Sequence, residues 1–176
     1  RDTLKLGKPW PEKISPVGLE IDDAKNLLYV VTKENNSLYI FDLLTNKIIH
    51  QQSIGSEAYT CILSPDKKTL YISLWGGKKV AFFDTNLRKI TASVDVSYNP
   101  NELILNKAGN LLYVANSQDN SVSVIDVPAK KVVEILNAAL FPNSLTGSTT
   151  NGLALSKDER SLYIANADNN CLAVFN

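Results

Sequence analysis

Methionine is missing from all 176 residues, so the sequence as given reads as a processed product or an excised fragment. No leader-like stretch stands at its start. His50 is the single histidine, and Cys61 and Cys171 are the two cysteines. Those counts exclude a histidine-rich metal centre and a paired-cysteine zinc site, so no metal is expected. The cysteines read as free, buried, small hydrophobes in strands of different units. His50 falls in an outer strand with no nucleophile or carboxylate beside it in sequence, which counts against a catalytic base. Excess charge is lacking too: eighteen Lys and Arg balance eighteen Asp and Glu, and the pI is near 6.8. No field therefore draws nucleic acid or an anionic membrane. No apolar run approaches the roughly 20 residues of a membrane-spanning helix, so no insertion is expected. A Gly-rich phosphate loop and a Gly-x-Ser-x-Gly elbow are both missing, and no cofactor is expected. Helical periodicity does not persist over any window long enough to nucleate a helix.

What the sequence has is a hairpin, written four times. Residues 110–126 read as two short strands joined by a polar loop. Leu112, Val114, Val122 and Val124 sit at every-second-residue spacing, and Asn116 to Asn120 form the turn. Four columns keep one register. They are Tyr29, Tyr71, Tyr113 and Tyr163; then Phe41, Phe83, Ile125 and Phe175; then Asp42, Asp84, Asp126 and Asn176; and upstream Ile21, Leu63, Leu105 and Leu155. The first two steps are 42 residues and the third is 50. Units of about 40–45 residues with four strand-like segments each are the mark of propeller blades. The expected fold is therefore all-β, a β-propeller of four-stranded antiparallel blades, about four of them in this chain. Hydrophobic residues make up 44% of the sequence, enough to cover both faces of such sheets, and only neighbouring sheets can cover them.

In chain order, residues 1–15 hold a strand-like alternation at Thr3–Gly7 and a Pro-rich connection carrying Trp10. Repeats follow at 16–57, 58–99, 100–149 and 150–176, the last without a fourth strand. Asp42, Asp84 and Asp126, being periodic, are expected to hydrogen-bond the turn that follows each of them.

At these columns the sequence resembles the YVTN-repeat β-propellers, a family that includes YncE-like and surface-layer proteins. The motif stands here as Tyr29-Val30-Val31-Thr32, Tyr71-Ile72-Ser73-Leu74, Tyr113-Val114-Ala115-Asn116 and Tyr163-Ile164-Ala165-Asn166. The chain is also similar to the propeller that some bacterial proteins carry ahead of an alkaline-phosphatase-type domain. The resemblance implies an exported, periplasmic or cell-surface bacterial protein, and seven blades in most members. Two arrangements fit the four units. One is a piece of a larger propeller, whose exposed blade faces meet the remainder of the ring or self-associate. The other is a closed four-bladed ring in which Thr3–Gly7 pairs beside Cys171–Phe175.

In a propeller the hairpin loops between second and third strands share one end with the blade-to-blade connections. The sequence loads that end with distinctive residues, and the candidates to bind a protein or small ligand are Trp10, Trp75, Asn101, Glu102, Asn116, Asp119, Phe141, Asn151, Asn166 and Asp168. Trp75 stands out as an aromatic beside Gly76-Gly77, and Phe141 lies in the eight-residue excess around Leu140–Thr150. The first functional reading is a non-catalytic binding scaffold. The alternative is a propeller lactonase-like, metal-dependent hydrolase with a central pocket, whose oxygen ligands would come from Glu20, Glu102, Asp119, Asn101 and Asn151.

Overall fold

The computed structural model describes residues 3–8, 11–141 and 145–176. It contains four antiparallel sheets in chain order. The first holds β1 (Pro16–Asp22), β2 (Leu27–Thr32), β3 (Ser37–Asp42) and β4 (Lys47–Ser53). The second holds β5 (Cys61–Leu63), β6 (Thr69–Leu74), β7 (Lys79–Asp84) and β8 (Lys89–Asp95). The third holds β9 (Pro100–Leu105), β10 (Leu111–Asn116), β11 (Ser121–Asp126) and β12 (Lys131–Asn137). The fourth has three strands, β13 (Thr150–Leu155), β14 (Leu162–Asn166) and β15 (Cys171–Phe175). Each sheet is a simple up-and-down meander, as propeller blades are.

The register explains the columns. Tyr29, Tyr71, Tyr113 and Tyr163 all lie on the second strand, opposite Ile40, Phe82, Val124 and Val174 of the third. Because alternate residues point to opposite faces, the tyrosines and their partners face the following sheet. Leu70, Ile72 and Phe83 face the preceding one. Three cores result. The first sheet and the second enclose Tyr29, Leu38, Ile40, Cys61, Ile72 and Phe83. The second and third enclose Tyr71, Val80, Phe82, Leu103, Val114 and Ile125. The third and fourth enclose Val122, Leu162 and Ile164, with Tyr113 and Phe175 at the margin.

Turn chemistry is as periodic as the cores. Asp42 Oδ1 accepts from the amides of Leu44 and Thr45, Asp84 Oδ1 from Asn86 and Leu87, and Asp126 Oδ1 from Ala129. At the first-to-second-strand turns, Ser64 and Ser156 each donate to an aspartate two residues on, Asp66 and Asp158. Gly18 is one position where no side chain fits. An added Cβ would lie 2.7 Å from Thr60 Cα, so glycine lets β1 approach the start of β5.

Three expectations need correction. Thr3–Gly7 is not a strand and does not pair beside Cys171–Phe175. Its Leu4 and Leu6 instead rest with Ile14 on Val30, Tyr39 and Phe41, the face of the first sheet that no preceding sheet covers. Apolar contact with that face outweighs edge pairing, and the four-bladed closure built on this segment is not formed. The second correction concerns Cys171. Both cysteines are free, but only Cys61 is buried, while Cys171 is half-buried on a sheet open on one side. The third is one of length: apolar alternation places the first strands of the third and fourth units at Glu102–Asn106 and Gly152–Ser156, whereas β9 and β13 each begin two residues earlier, at Pro100 and Thr150. Asn116 and Asn166 of the second strands pair with those residues across a bulge.

Candidate functional site

The backbone first sets where loops can gather. At the same end of every sheet, the second-to-third-strand hairpin is stitched to the connection that precedes the sheet. Lys33 N donates to Ser15 O, Gly76 N to Glu57 O, Ser117 N to Asn99 O and Ala167 N to Thr149 O, at 2.9–3.3 Å. Ser15, Asn99 and Thr149 adopt left-handed backbone there, with φ of 50°, 54° and 49°. This repeated stitch puts hairpin loops and connections on one surface.

On that surface three side chains from three repeats meet. Asn101 Nδ2 donates to Asn151 Oδ1 at 2.9 Å and to Thr150 O at 3.2 Å. Tyr59 Oη donates to the same Asn151 oxygen at 3.4 Å. Asn101 is buried, and Asn151 and Tyr59 keep access to solvent. Their positions are one column of the period, 42 and then 50 residues apart. Glu102 follows directly, its amide donating to Asn101 Oδ1 at 2.7 Å. Its carboxyl is half-buried, and loss of solvent raises its pKa above the ordinary value. The arrangement offers amide, phenol and carboxyl groups, suited to hydrogen-bonding a polar ligand.

Two aromatic platforms flank the cluster. Lys33 Nζ lies 4.6 Å from the centre of the Trp75 ring, and Lys78 Nζ lies 3.4 Å from that of Tyr98. In each case a lysine from one sheet's hairpin covers an aromatic of the next sheet, a contact contributing about 0.5–1 kcal/mol at exposed sites. Asn99 Nδ2 also donates to Trp75 O at 3.2 Å. A separate cleft of about 290 Å³, between the β10–β11 hairpin and β12, is lined by Asp119, Ser121, Ile135, Asn137 and Thr146.

The remaining candidates divide by burial. Asn116 is fully buried, and its Nδ2 donates to Ser121 Oγ at 3.0 Å and Ser123 Oγ at 2.9 Å. Asn166 is buried likewise, donating to Ala138 O at 2.6 Å and accepting from Thr150 Oγ1 at 3.1 Å. Asn116 thus braces its own hairpin, and Asn166 ties β14 to Thr150 and to the connection at Ala138. Asp119 accepts from Ser121 Oγ at 3.2 Å, and exposed Asp168 accepts from Thr149 Oγ1. Phe141 is exposed on the insertion, and Trp10 lies outside the described residues.

The oxygen set of the hydrolase reading is only partly assembled. Asn101, Glu102 and Asn151 stand together, but Glu20 Oε1 accepts from Leu63 N at 3.2 Å and Asp119 belongs to a hairpin loop. Among the described residues no group of three or more His, Cys, Asp or Glu is placed to hold a metal ion.

Two residues carry more of this surface than the sequence reading gave them. Tyr59 completes the cluster, and its signal was its place in the Asn101 and Asn151 column. Asn120 anchors the insertion through Leu145 O, Gly147 N and Ser148 N, at 2.6–2.9 Å. No sequence pattern marked it, because asparagine in a hairpin loop is first a turn former.

A family model described as "Lactonase, 7-bladed beta-propeller" matches residues 61–176. The uncharacterised protein YncE of Salmonella typhi is 31% identical over 159 residues, covering 84% of this chain and 40% of that protein. YncE of Salmonella typhimurium is 29% identical over 157 residues with the same coverage. The chain thus spans about 40% of the length of these curated relatives. Among solved structures, a chain of Kuenenia stuttgartiensis hydrazine synthase superposes with a TM-score of 0.73 at 17% identity, over 90% of this chain and 45% of that one. That likeness is one of fold.

Proposed function

Since the chain belongs to the lactonase-type seven-bladed β-propeller family, we propose that it serves as a non-catalytic scaffold, binding a protein or small polar ligand at its loop-bearing end. The observation that carries this reading is the meeting of Tyr59, Asn101 and Asn151 from three repeats, with Tyr59 and Asn101 each donating to Asn151 Oδ1. Amides and a phenol offer donors and acceptors that orient a polar ligand. Localisation outside the cytoplasm is part of the same proposal and rests on the resemblance to exported propellers. Titration of the isotopically labelled chain with a library of small polar ligands tests it by NMR. Shifts should gather at Tyr59, Asn101, Glu102 and Asn151. Shifts confined to the opposite end would overturn the site, and turnover of a lactone at enzyme-like rates would overturn the non-catalytic assignment.

A second reading, a lactonase-like hydrolase at the same end, is favoured by the family description and by the half-buried carboxyl of Glu102 beside Asn101. A positioned carboxyl is one of the side chains that serve as general acid or base. Loss of lactone turnover in Glu102→Gln, with ligand binding retained, would support it over the scaffold.

A further inference from the structure

Basic side chains are unevenly placed in the third and fourth units. Residues 108–129, 132–156 and 161–176 contain no Lys or Arg. The basic residues of these units, Lys107, Lys130, Lys131, Lys157 and Arg160, fall in or beside the turns opposite the hairpin loops. The loop-bearing end holds acids instead, Glu102, Asp119 and Asp168. Lys78 of the second sheet approaches this end, and its ammonium is taken up by the Tyr98 ring at 3.4 Å. A cation arriving at the third hairpin and the insertion therefore meets carboxylates and no basic side chain of these two units.

At that end the cleft of about 290 Å³ combines one acid with apolar walls. Asp119 is half-buried. Its Oδ2 accepts from Ser121 Oγ at 3.2 Å, and among the described residues its Oδ1 has no partner. Ile135, 58% exposed, and Ala139 supply apolar surface, and Asn137 and Thr146 complete the lining. Asn120 ties residues 145–148 of the insertion to the hairpin, so the wall bearing Thr146 is held in place. Leu140 and Leu145, 49% and 92% exposed, stand next in the chain to the lining residues Ala139 and Thr146. This combination departs from the period. At the place of Asp119 the other units have Asn35, Gly77 and Asn169, and at the place of Ile135 the first two have Gln51 and Ser93. Those units pack without an acid or an exposed isoleucine there, so sheet packing does not account for either.

We propose that the cleft receives a lysine or arginine side chain from a partner protein. The charged head pairs with Oδ1 of Asp119, and the methylene stem lies along Ile135 and Ala139. Apolar residues flanking that side chain in the partner cover Leu140 and Leu145. The cleft is separate from the cluster of Tyr59, Asn101 and Asn151, so this inference is independent of the ligand reading above.

NMR titration of the isotopically labelled chain with the peptide acetyl-Leu-Arg-Leu-amide tests it, with the Gln-centred peptide and ethylguanidinium as comparison probes. The Arg peptide should shift the amides of Ser121, Ile135, Ala139 and Thr146. It should bind about tenfold more tightly than the Gln peptide, and weaken as added salt shortens the Debye length to about 3 Å. Asp119→Asn should fold, since the first and fourth units carry Asn at this place, and should lose the tenfold difference. Glu134→Gln removes an acid from the other face of β12 and should leave binding unchanged. Equal binding of the Arg and Gln peptides, no shift at those four amides, or equal losses in Asp119→Asn and Glu134→Gln would overturn the proposal. Ethylguanidinium binding as tightly as the Arg peptide would overturn it in favour of a free small cation.

Discussion

Replacing Asn120 by glycine should detach the insertion that the third connection carries. Asn120 is buried in the β10–β11 hairpin and holds left-handed backbone, φ 47°. Its Nδ2 donates to Leu145 O at 2.8 Å, and its Oδ1 accepts from Gly147 N at 2.9 Å and Ser148 N at 2.6 Å. At about 1 kcal/mol net per hydrogen bond, the three contribute about 3 kcal/mol. Leu145 and Gly147 are exposed and regain water when the side chain is removed, whereas Ser148 is buried and does not. Asn120→Gly should therefore cost about 2 kcal/mol, or roughly 4–8 °C in Tm for a chain of this size. Asn120→Ala should cost more, about 3 kcal/mol, because a Cβ in the left-handed region adds about 1 kcal/mol. That order reverses the usual one, in which glycine is the worse substitute in regular structure. Urea unfolding with the m-value monitored gives the energies, and hydrogen exchange at the Ser148 amide reports the loop directly. If alanine proves milder than glycine, or both cost under about 0.5 kcal/mol with Ser148 exchange unchanged, the tether described here is wrong.

Gly18→Ala should lose about 1–3 kcal/mol in urea unfolding, since the new Cβ meets Thr60 Cα at 2.7 Å and backbone must shift. Lys130 holds φ 51° at the third-to-fourth-strand turn, where the first sheet has Asn46 at 56°; Lys130→Asn should gain about 0.5 kcal/mol in Tm-derived stability. Glu102 should make stability depend on pH. Its folded pKa lies above the ordinary 4.5 because of burial, so the folded chain binds the extra proton in that window, and stability falls as pH rises from 4.5 through the folded value. Glu102→Gln should abolish this fall. Asp66 and Asp158 act in the opposite direction: hydrogen bonds, first from Ser64 and Ser156 and then from the Lys68 and Arg160 amides, hold them below 3.8. Their contribution is lost as pH falls below that value, in the Glu102→Gln variant too, and unfolding curves from acid to neutral pH separate the two effects.

Most of the fold was legible because each blade solves one packing problem with one pattern. The tyrosine, Phe/Ile and aspartate columns each met a single structural role, and the four sheets follow from them. Thr3–Gly7 was misread for a physical reason: alternation records two faces but not whether the backbone finds an edge. Leu4 and Leu6 satisfy the alternation by covering Phe41 without pairing. The site was less legible. Asn116 and Asn101 both looked like loop amides, yet the first braces Ser121 and Ser123 inside its own hairpin while the second reaches across to Asn151. Only the approach of neighbouring sheets separates those fates, and no local pattern encodes it.

The two ends of the sheets differ in a way that bears on where binding occurs. At the end opposite the hairpin loops, one cap recurs: Asp22, Ser64, Asn106 and Ser156 each accept a hydrogen bond from a backbone amide of their own turn. Equivalent positions there do equivalent work, which is what sheet packing alone demands. At the loop-bearing end the column of Tyr59, Asn101 and Asn151 has Val17 on the first sheet, and that valine is exposed and makes no polar contact of this kind. Trp75 and the insertion depart from the period at the same end. Structural need explains the repeated positions and does not explain these departures. Their concentration on one surface is the reason to look for a ligand there, and a ligand that bound the regular end instead would break this link between aperiodicity and binding.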